Sequence, residues 1–193
     1  VFVFVFENAQ IYNGLLYRRA FNLFLARILK IATFAQYFDA CMKIAVFPGS
    51  FDPITIGHVD LVTRAIPLFD QIVVAVGVNT SKKYLFSLEQ RLEWLRQVFK
   101  SNPKVRVDHF HNLTAHYCQQ IGARYLLRGL RNGSDFDYEK TISQLNHIVG
   151  GGIETVFLIA QPEFSHISST IVREIIVGGG DATPFIPREI RIT

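Results

Sequence analysis

The sequence predicts an α/β fold, a five-stranded mostly parallel sheet with helices on both faces. Three observations lead there. From residue 43 onward short apolar runs alternate with stretches of helical periodicity. The runs are apolar nearly throughout, as strands covered on both faces require. Finally, the unusual polar clusters each fall just after a predicted strand, where open parallel sheets place their ligands.

The first strand is KIAVF at 43–47, followed by a glycine-containing turn and a helix over about 57–67. QIVVAVGV at 71–78 gives the second strand; Ser87 with Gln90 then forms a capping-box start for a helix ending near Phe99. VRVDH at 105–109 is the third strand and is followed by a helix over about 113–120. ARYLLRG at 123–129 is the fourth, leading into a long helix over 135–149. ETVFLIA at 154–160 is the fifth, and Ser168 or Ser169 starts a last helix running to about Val177.

Residues 1–41 read differently. VFVFVF suits a short strand or an aggregation-prone tail. Residues 15–31 carry a broadly helical apolar pattern broken by Arg18, Arg19, Arg27 and Lys30, so no run is long enough to cross a bilayer. Basic residues inside the apolar run do not fit a secretory signal, and a basic amphipathic helix on a membrane surface is the lesser reading. Met42 is the only methionine and immediately precedes a clean strand. The expectation is therefore a 1–41 extension outside a catalytic unit spanning 42–193.

At 193 residues the chain has room for one ordinary core, and 49% apolar residues with 17 Phe argue against disorder. The net charge of +4 divides equally between residues 1–41 and the rest, too little to indicate nucleic-acid binding. Cys41 and Cys118 have no metal-ligand spacing, and a reducing compartment, the cytoplasm, is the default.

Four segments carry phosphate chemistry. In PGSFDPITIGHVD (48–60), Gly49 allows a tight strand exit, while Ser50 and Phe51 offer backbone N–H groups to phosphate oxygens. Thr55, Gly57 and His58 stand where the next helix begins, a position that favours anions. Asp52 is read as an Asx turn shaping the loop. NTSKKYLFS (79–87) places Lys82 and Lys83 on a loop; pattern alone does not choose between them. LLRGLRNGSDFDYEK (126–140) sets Arg128 and Arg131 around Gly129 and Leu130 for convergent phosphate binding. Asp135 and Asp137 are sufficiently explained as dipole partners of the helix, whereas Glu139 can in addition organise a basic residue of the site. FSHISSTIVRE (164–174) clusters Ser168, Ser169 and Thr170 at a helix start, where the plainer reading is an N-cap with spare hydroxyls. GxGxxG after a strand, GxxxxGK(S/T) and HExxH are all absent from the sequence, so a dinucleotide dehydrogenase and a P-loop NTPase are unsupported.

Thr55–Ile56–Gly57–His58 matches the (H/T)xGH signature of nucleotidyltransferases. With SKK at 81–83, RGLR at 128–131, DFDYE at 135–139 and ISSTIVRE at 167–174, residues 42–193 resemble the bacterial phosphopantetheine adenylyltransferase family. That resemblance implies a Rossmann-like nucleotidyltransferase fold and adenylyl transfer from ATP to 4'-phosphopantetheine, giving dephospho-coenzyme A and pyrophosphate. It also implies Mg2+, with no protein ligand assigned, and a homo-hexamer. By the same resemblance His58, Lys82 and Arg131 are catalytic, and Ser50, Lys82, Thr114 and Arg128 hold phosphopantetheine. ATP would be surrounded by Ser50, Phe51, His58, Gly129, Leu130, Arg131, Glu139, Phe164, Ser165, His166, Ile167, Ser168, Ser169 and Thr170. Ser50 stands where many members carry threonine, Ile56 where asparagine is common, and Tyr84 where proline is frequent. Thr114 occupies a position whose side chain varies, and little of the usual C-terminal helix follows TPFIPREIR. The signature alone leaves a related nucleotidyltransferase with another acceptor open, and a non-catalytic nucleotide-binding protein is the other alternative.

Overall fold

Five strands form in the computed structural model of the chain, which describes residues 42–192. They are β1 (Ile44–Gly49), β2 (Gln71–Gly77), β3 (Val105–Phe110), β4 (Tyr125–Leu130) and β5 (Glu154–Ile159). The helices are α1 (Ile56–Ala65), α2 (Leu88–Phe99), α3 (Thr114–Gln120), α4 (Gly133–Val149) and α5 (Ser169–Val177). The expectations for residues 1–41, a strand-like start, a helical 15–31 and an extension, lie outside the described residues.

All strand pairs are parallel, in the order β3-β2-β1-β4-β5. Both faces of the central strands are buried, and the two-residue period divides them cleanly. Ala45, Phe47, Ile72, Val74, Val76 and Leu127 join one core cluster with side chains from α1, α2 and α5. Val46, Val73, Ala75 and Leu126 join a second with Ala115, Tyr117 and Cys118 of α3.

Local signals set the helix ends. Ser87 Oγ accepts from the Gln90 amide at 3.2 Å, the N-cap half of the expected capping box. Ser168, rather than Ser169, caps α5 by accepting from the Ile171 amide at 3.2 Å. Helix α4 begins ahead of Asp135 because Asn132 Oδ1 accepts from the Asp135 amide at 2.8 Å and acts as the N-cap. The fourth strand begins later than expected, since Ala123 donates to Cys118 O at 2.9 Å and is still finishing α3.

The order of strands reverses between β1 and β4, and there the pairing is shortest. β1 pairs with β2 from Ile44↔Gln71 to Gly49↔Val76, and β4 pairs with β5 out to Leu130↔Ile159. Between β1 and β4 only Ala45↔Tyr125 and Val46↔Leu126 pair. Beyond Leu126 the two halves of the sheet separate, opening a crevice at the strands' carboxyl ends.

Candidate active site

The crevice is built from the loop after β1, the end of β4 and the start of α5. Phe51 holds a left-handed backbone, φ 46, which is rare for a bulky residue and is found where surrounding structure over-determines it. Its ring is 1% exposed and packs edge-on to Phe47 at 5.5 Å and to His58 at 5.2 Å between centroids. Gly49 makes room for it: a Cβ there would lie 2.9 Å from Phe51 Cζ. The sequence reading of Gly49 as a tight exit thus has a steric basis in a residue two positions on.

His58 sits in the first turn of α1. The Thr55 amide donates to His58 Nδ1 at 3.0 Å, and Thr55 Oγ1 lies 2.9 Å from the same nitrogen. Nδ1 is therefore an acceptor, leaving the ring proton on Nε2. Burial first, and then the charges of Arg131 and Arg128, lower the imidazole pKa to about 4. At neutral pH the ring is an uncharged donor.

Both arginines of RGLR are held by carboxylates. Arg128 makes a bidentate pair with buried Glu139, Nε to Oε2 at 2.8 Å and Nη2 to Oε1, and its Nη1 donates to Pro48 O at 2.8 Å. Glu139 thus organises an arginine, the role foreseen for it. Arg131 pairs with Asp135 through Nε at 2.9 Å and Nη2 at 3.1 Å, while the Arg131 amide donates to Asp135 Oδ2 at 3.0 Å. A dipole role for Asp135 is therefore insufficient, since it also orients a site arginine. Burial opposes its ionisation, but the hydrogen bonds and charge of Arg131, with Arg128 behind, hold its pKa below the ordinary value. The i, i+4 spacing of Arg131 and Asp135 was the available signal.

Two cavities meet at this point and share Pro48, Gly49, Ser50, Arg128 and Glu139. One, about 380 Å³, runs along Lys82, Asn112, Thr114 and Asn146, with a buried, unpartnered Thr155 Oγ1 in its lining. The other, about 300 Å³, includes Phe51, Thr55, Gly57, His58, Arg131 and Asp135. Of the foreseen ATP residues, Ser50, Phe51, His58, Gly129, Arg131, Glu139, Phe164, Ile167, Ser168 and Ser169 line it. Leu130, Ser165, His166 and Thr170 do not. Lys82 lines the first cavity and Lys83 does not, which separates the two lysines.

Hydroxyls at α5 are partly committed. Ser168 is the cap, Ser169 Oγ donates to Pro53 O at 2.8 Å, and Thr170 Oγ1 accepts from Arg173 Nη2 at 3.1 Å. What the helix start offers the second cavity is chiefly its unpaired amides, as a helix N-terminus does. Among the described residues, no three or more His, Cys, Asp or Glu side chains are grouped to hold a metal ion. A magnesium ion fits this donor set when carried by nucleotide phosphates and water.

Residues 46–175 match the cytidylyltransferase-like family model. The chain is 48% identical over 150 residues to the phosphopantetheine adenylyltransferase of Christiangramia forsetii, covering 78% of this chain and 99% of that protein. It is 50% identical over 146 residues to the enzyme of that name from Desulforudis audaxviator, covering 76% and 90%. A Vibrio parahaemolyticus structure assigned as a nicotinate-nucleotide adenylyltransferase superposes with a TM-score of 0.58 at 18% identity, over 77% of this chain and 96% of that one, a likeness of fold. With the signature at the crevice, both arginines in place and relatives matched over nearly their full length, the chain belongs to the phosphopantetheine adenylyltransferase family.

Proposed function

We propose that the chain transfers the adenylyl group of ATP to 4'-phosphopantetheine, releasing pyrophosphate and dephospho-coenzyme A. The observation that carries this reading is the pair of adjoining cavities with a common floor of Ser50, Arg128 and Glu139. One accommodates the acceptor and the other the nucleotide, so that their phosphates approach each other at the splayed strand ends. Thr155, with an unpaired buried hydroxyl, suits an acceptor with polar groups along its length.

In the proposed transfer, an acceptor phosphate oxygen forms a bond to the ATP α-phosphorus while the bond from that phosphorus to the departing pyrophosphate breaks. The nucleophile is already an anion, so positioning and charge stabilisation suffice without a general base. His58 donates from Nε2 to an α-phosphoryl oxygen as charge accumulates there. Lys82 and Arg131 offset charge on the two sides, and Arg128 with Ser50 and Thr114 holds the acceptor. Gly129, Phe164 and the α5 start embrace ATP. Further charge neutralisation would come from Mg2+ carried by the ATP phosphates and water.

The same reading assigns catalysis to residues 42–193, supported by relatives aligned over about 150 residues. It extends to a homo-hexamer, for which exposed Phe136, Tyr138, Leu145 and Ile148 on α4 offer apolar surface. Among the described residues no helix is long and apolar enough to cross a membrane, which suits the cytoplasmic assignment.

Pyrophosphate release by the full chain with ATP and Mg2+ tests the reaction. Release that depends on 4'-phosphopantetheine, with dephospho-coenzyme A as product, is expected; release with nicotinate mononucleotide or glycerol phosphate instead would overturn the acceptor assignment. The same assay on residues 42–193 tests the extension, and sedimentation velocity tests the hexamer.

A further inference from the structure

An aspartate before proline ordinarily serves its own turn. Asp52 does something else. Its side chain is 2% exposed, and its two oxygens accept from the amides of Leu85 and Phe86, each at 3.0 Å, more than thirty residues downstream. Those amides close the 79–87 loop that carries Lys82. On its other side, Arg173 Nη1 donates to Asp52 O at 2.7 Å and lies 3.7 Å from Asp52 Oδ2. Arg173 belongs to α5, whose first residue, Ser169, is fastened to Pro53 O.

The loop has further ties. Tyr84 Oη accepts from the Asn79 amide at 3.0 Å, and the Tyr84 ring lies 4.1 Å from the Arg91 guanidinium carbon. Arg91, 2% exposed, donates from Nη1 to Ser50 O at 2.7 Å. Residues 50–53 therefore receive fastenings from the lysine loop, from α2 and from α5. The bridging group must present two acceptor oxygens together with negative charge. An asparagine amide has one acceptor, and its NH2 would face an N–H.

We propose that Asp52 is a positioning residue: it fixes Lys82 at the reacting phosphates by pinning the 79–87 loop to the Ser50–Phe51 loop, with Arg173 tying that anchor to the helix start at the nucleotide cavity. The inference rests on the reading of Lys82 as a charge at the reacting phosphates. Lysine has a flexible stem, so its contribution depends on where its backbone is held.

A double-mutant cycle on the full chain tests it, with Lys82→Ala, Asp52→Asn and the double variant assayed for pyrophosphate release and monitored by circular dichroism. Asp52→Asn should lower kcat about 10- to 100-fold while ATP KM changes far less. In the Lys82→Ala background the same substitution should cost less than about threefold, because the group it positions is gone. Parent-like kcat in Lys82→Ala overturns the reading of Lys82 and this inference with it. A slow Lys82→Ala enzyme in which Asp52→Asn multiplies in full, or a parent-like Asp52→Asn enzyme, overturns this inference alone. Should Asp52→Asn fail to fold, Tyr84→Phe, which removes a second tie of the loop and keeps the ring over Arg91, enters the same cycle with the same outcomes.

Discussion

At the scale of single residues, the site depends on groups held in one chemical state. With Nδ1 engaged by Thr55 and a pKa of about 4, His58 keeps its ring proton on Nε2 and stays uncharged across the physiological range. His58→Ala should keep the fold and lower kcat about 100- to 1000-fold, the size of effect seen when one transition-state donor is removed; steady-state kinetics with circular dichroism read both. Arg128→Ala should chiefly raise the acceptor KM, and it also strands Glu139, which is buried and loses its guanidinium partner. An equal effect on ATP alone would contradict its assignment to the acceptor. Gly49→Ala forces the Phe51 ring aside and should cost about 1–3 kcal/mol, read from urea unfolding.

Elements position these residues through ordinary core and cap energetics. Leu127 is fully buried beside the strand end that supplies Arg128 and Gly129. Leu127→Ala should destabilise by about 2–5 kcal/mol in chemical denaturation, according to how far the site collapses. Asn132 begins α4 immediately after Arg131, and its side chain holds the Asp135 amide while the Asp135 carboxylate holds Arg131. The cap therefore also serves the partner of Arg131, an arginine of the crevice. Helix α1 is fastened through Arg64, whose Nη2 donates to Ile159 O at 2.8 Å and whose Nε meets Asp60 at 2.9 Å. That bond links the helix bearing His58 to the end of β5.

For the whole molecule, the depressed His58 pKa is a statement about pH and stability. Unfolded histidine takes up a proton near its ordinary value of 6.5, whereas the folded site resists until about pH 4. In that window the unfolded state binds more protons, so this contribution is complete above the unfolded pKa and is lost as pH falls from about 6.5 to 4. The full difference is about 3 kcal/mol. Urea midpoints measured across that range should fall with acidity, and His58→Asn should remove this part of the slope. Below the window Asp135 adds its own loss, because its folded pKa lies below its unfolded one. Cys118, buried beneath the sheet with its thiol pushed up to about 12, should resist alkylation at pH 8 in the native protein and react once unfolded, as peptide mass mapping would read.

Strands, helices and the Ser87 cap were legible because each is written in neighbouring residues: unbroken apolar runs such as IVVAV, and Ser87 and the Gly49 turn at element ends. Local pattern left the last cap open between Ser168 and Ser169 and did not show the Asn132 cap. The four phosphate segments were legible for the same reason, being short strings at strand ends. Partnerships over distance were not. Asp52 looked like a local turn, yet its acceptors serve amides 33 and 34 residues away. Local pattern did not choose between Lys82 and Lys83; the family resemblance named Lys82. Its place in the first cavity, like the commitment of the Ser169 hydroxyl to Pro53, depends on packing between segments distant in sequence. Local pattern determined the parallel α/β fold and the chemistry available at its edge, since periodicity and capping act within a few residues. Tertiary structure decided which of those groups face the crevice, because that follows from where β1 and β4 stop pairing and from long-range hydrogen bonds with no local signature.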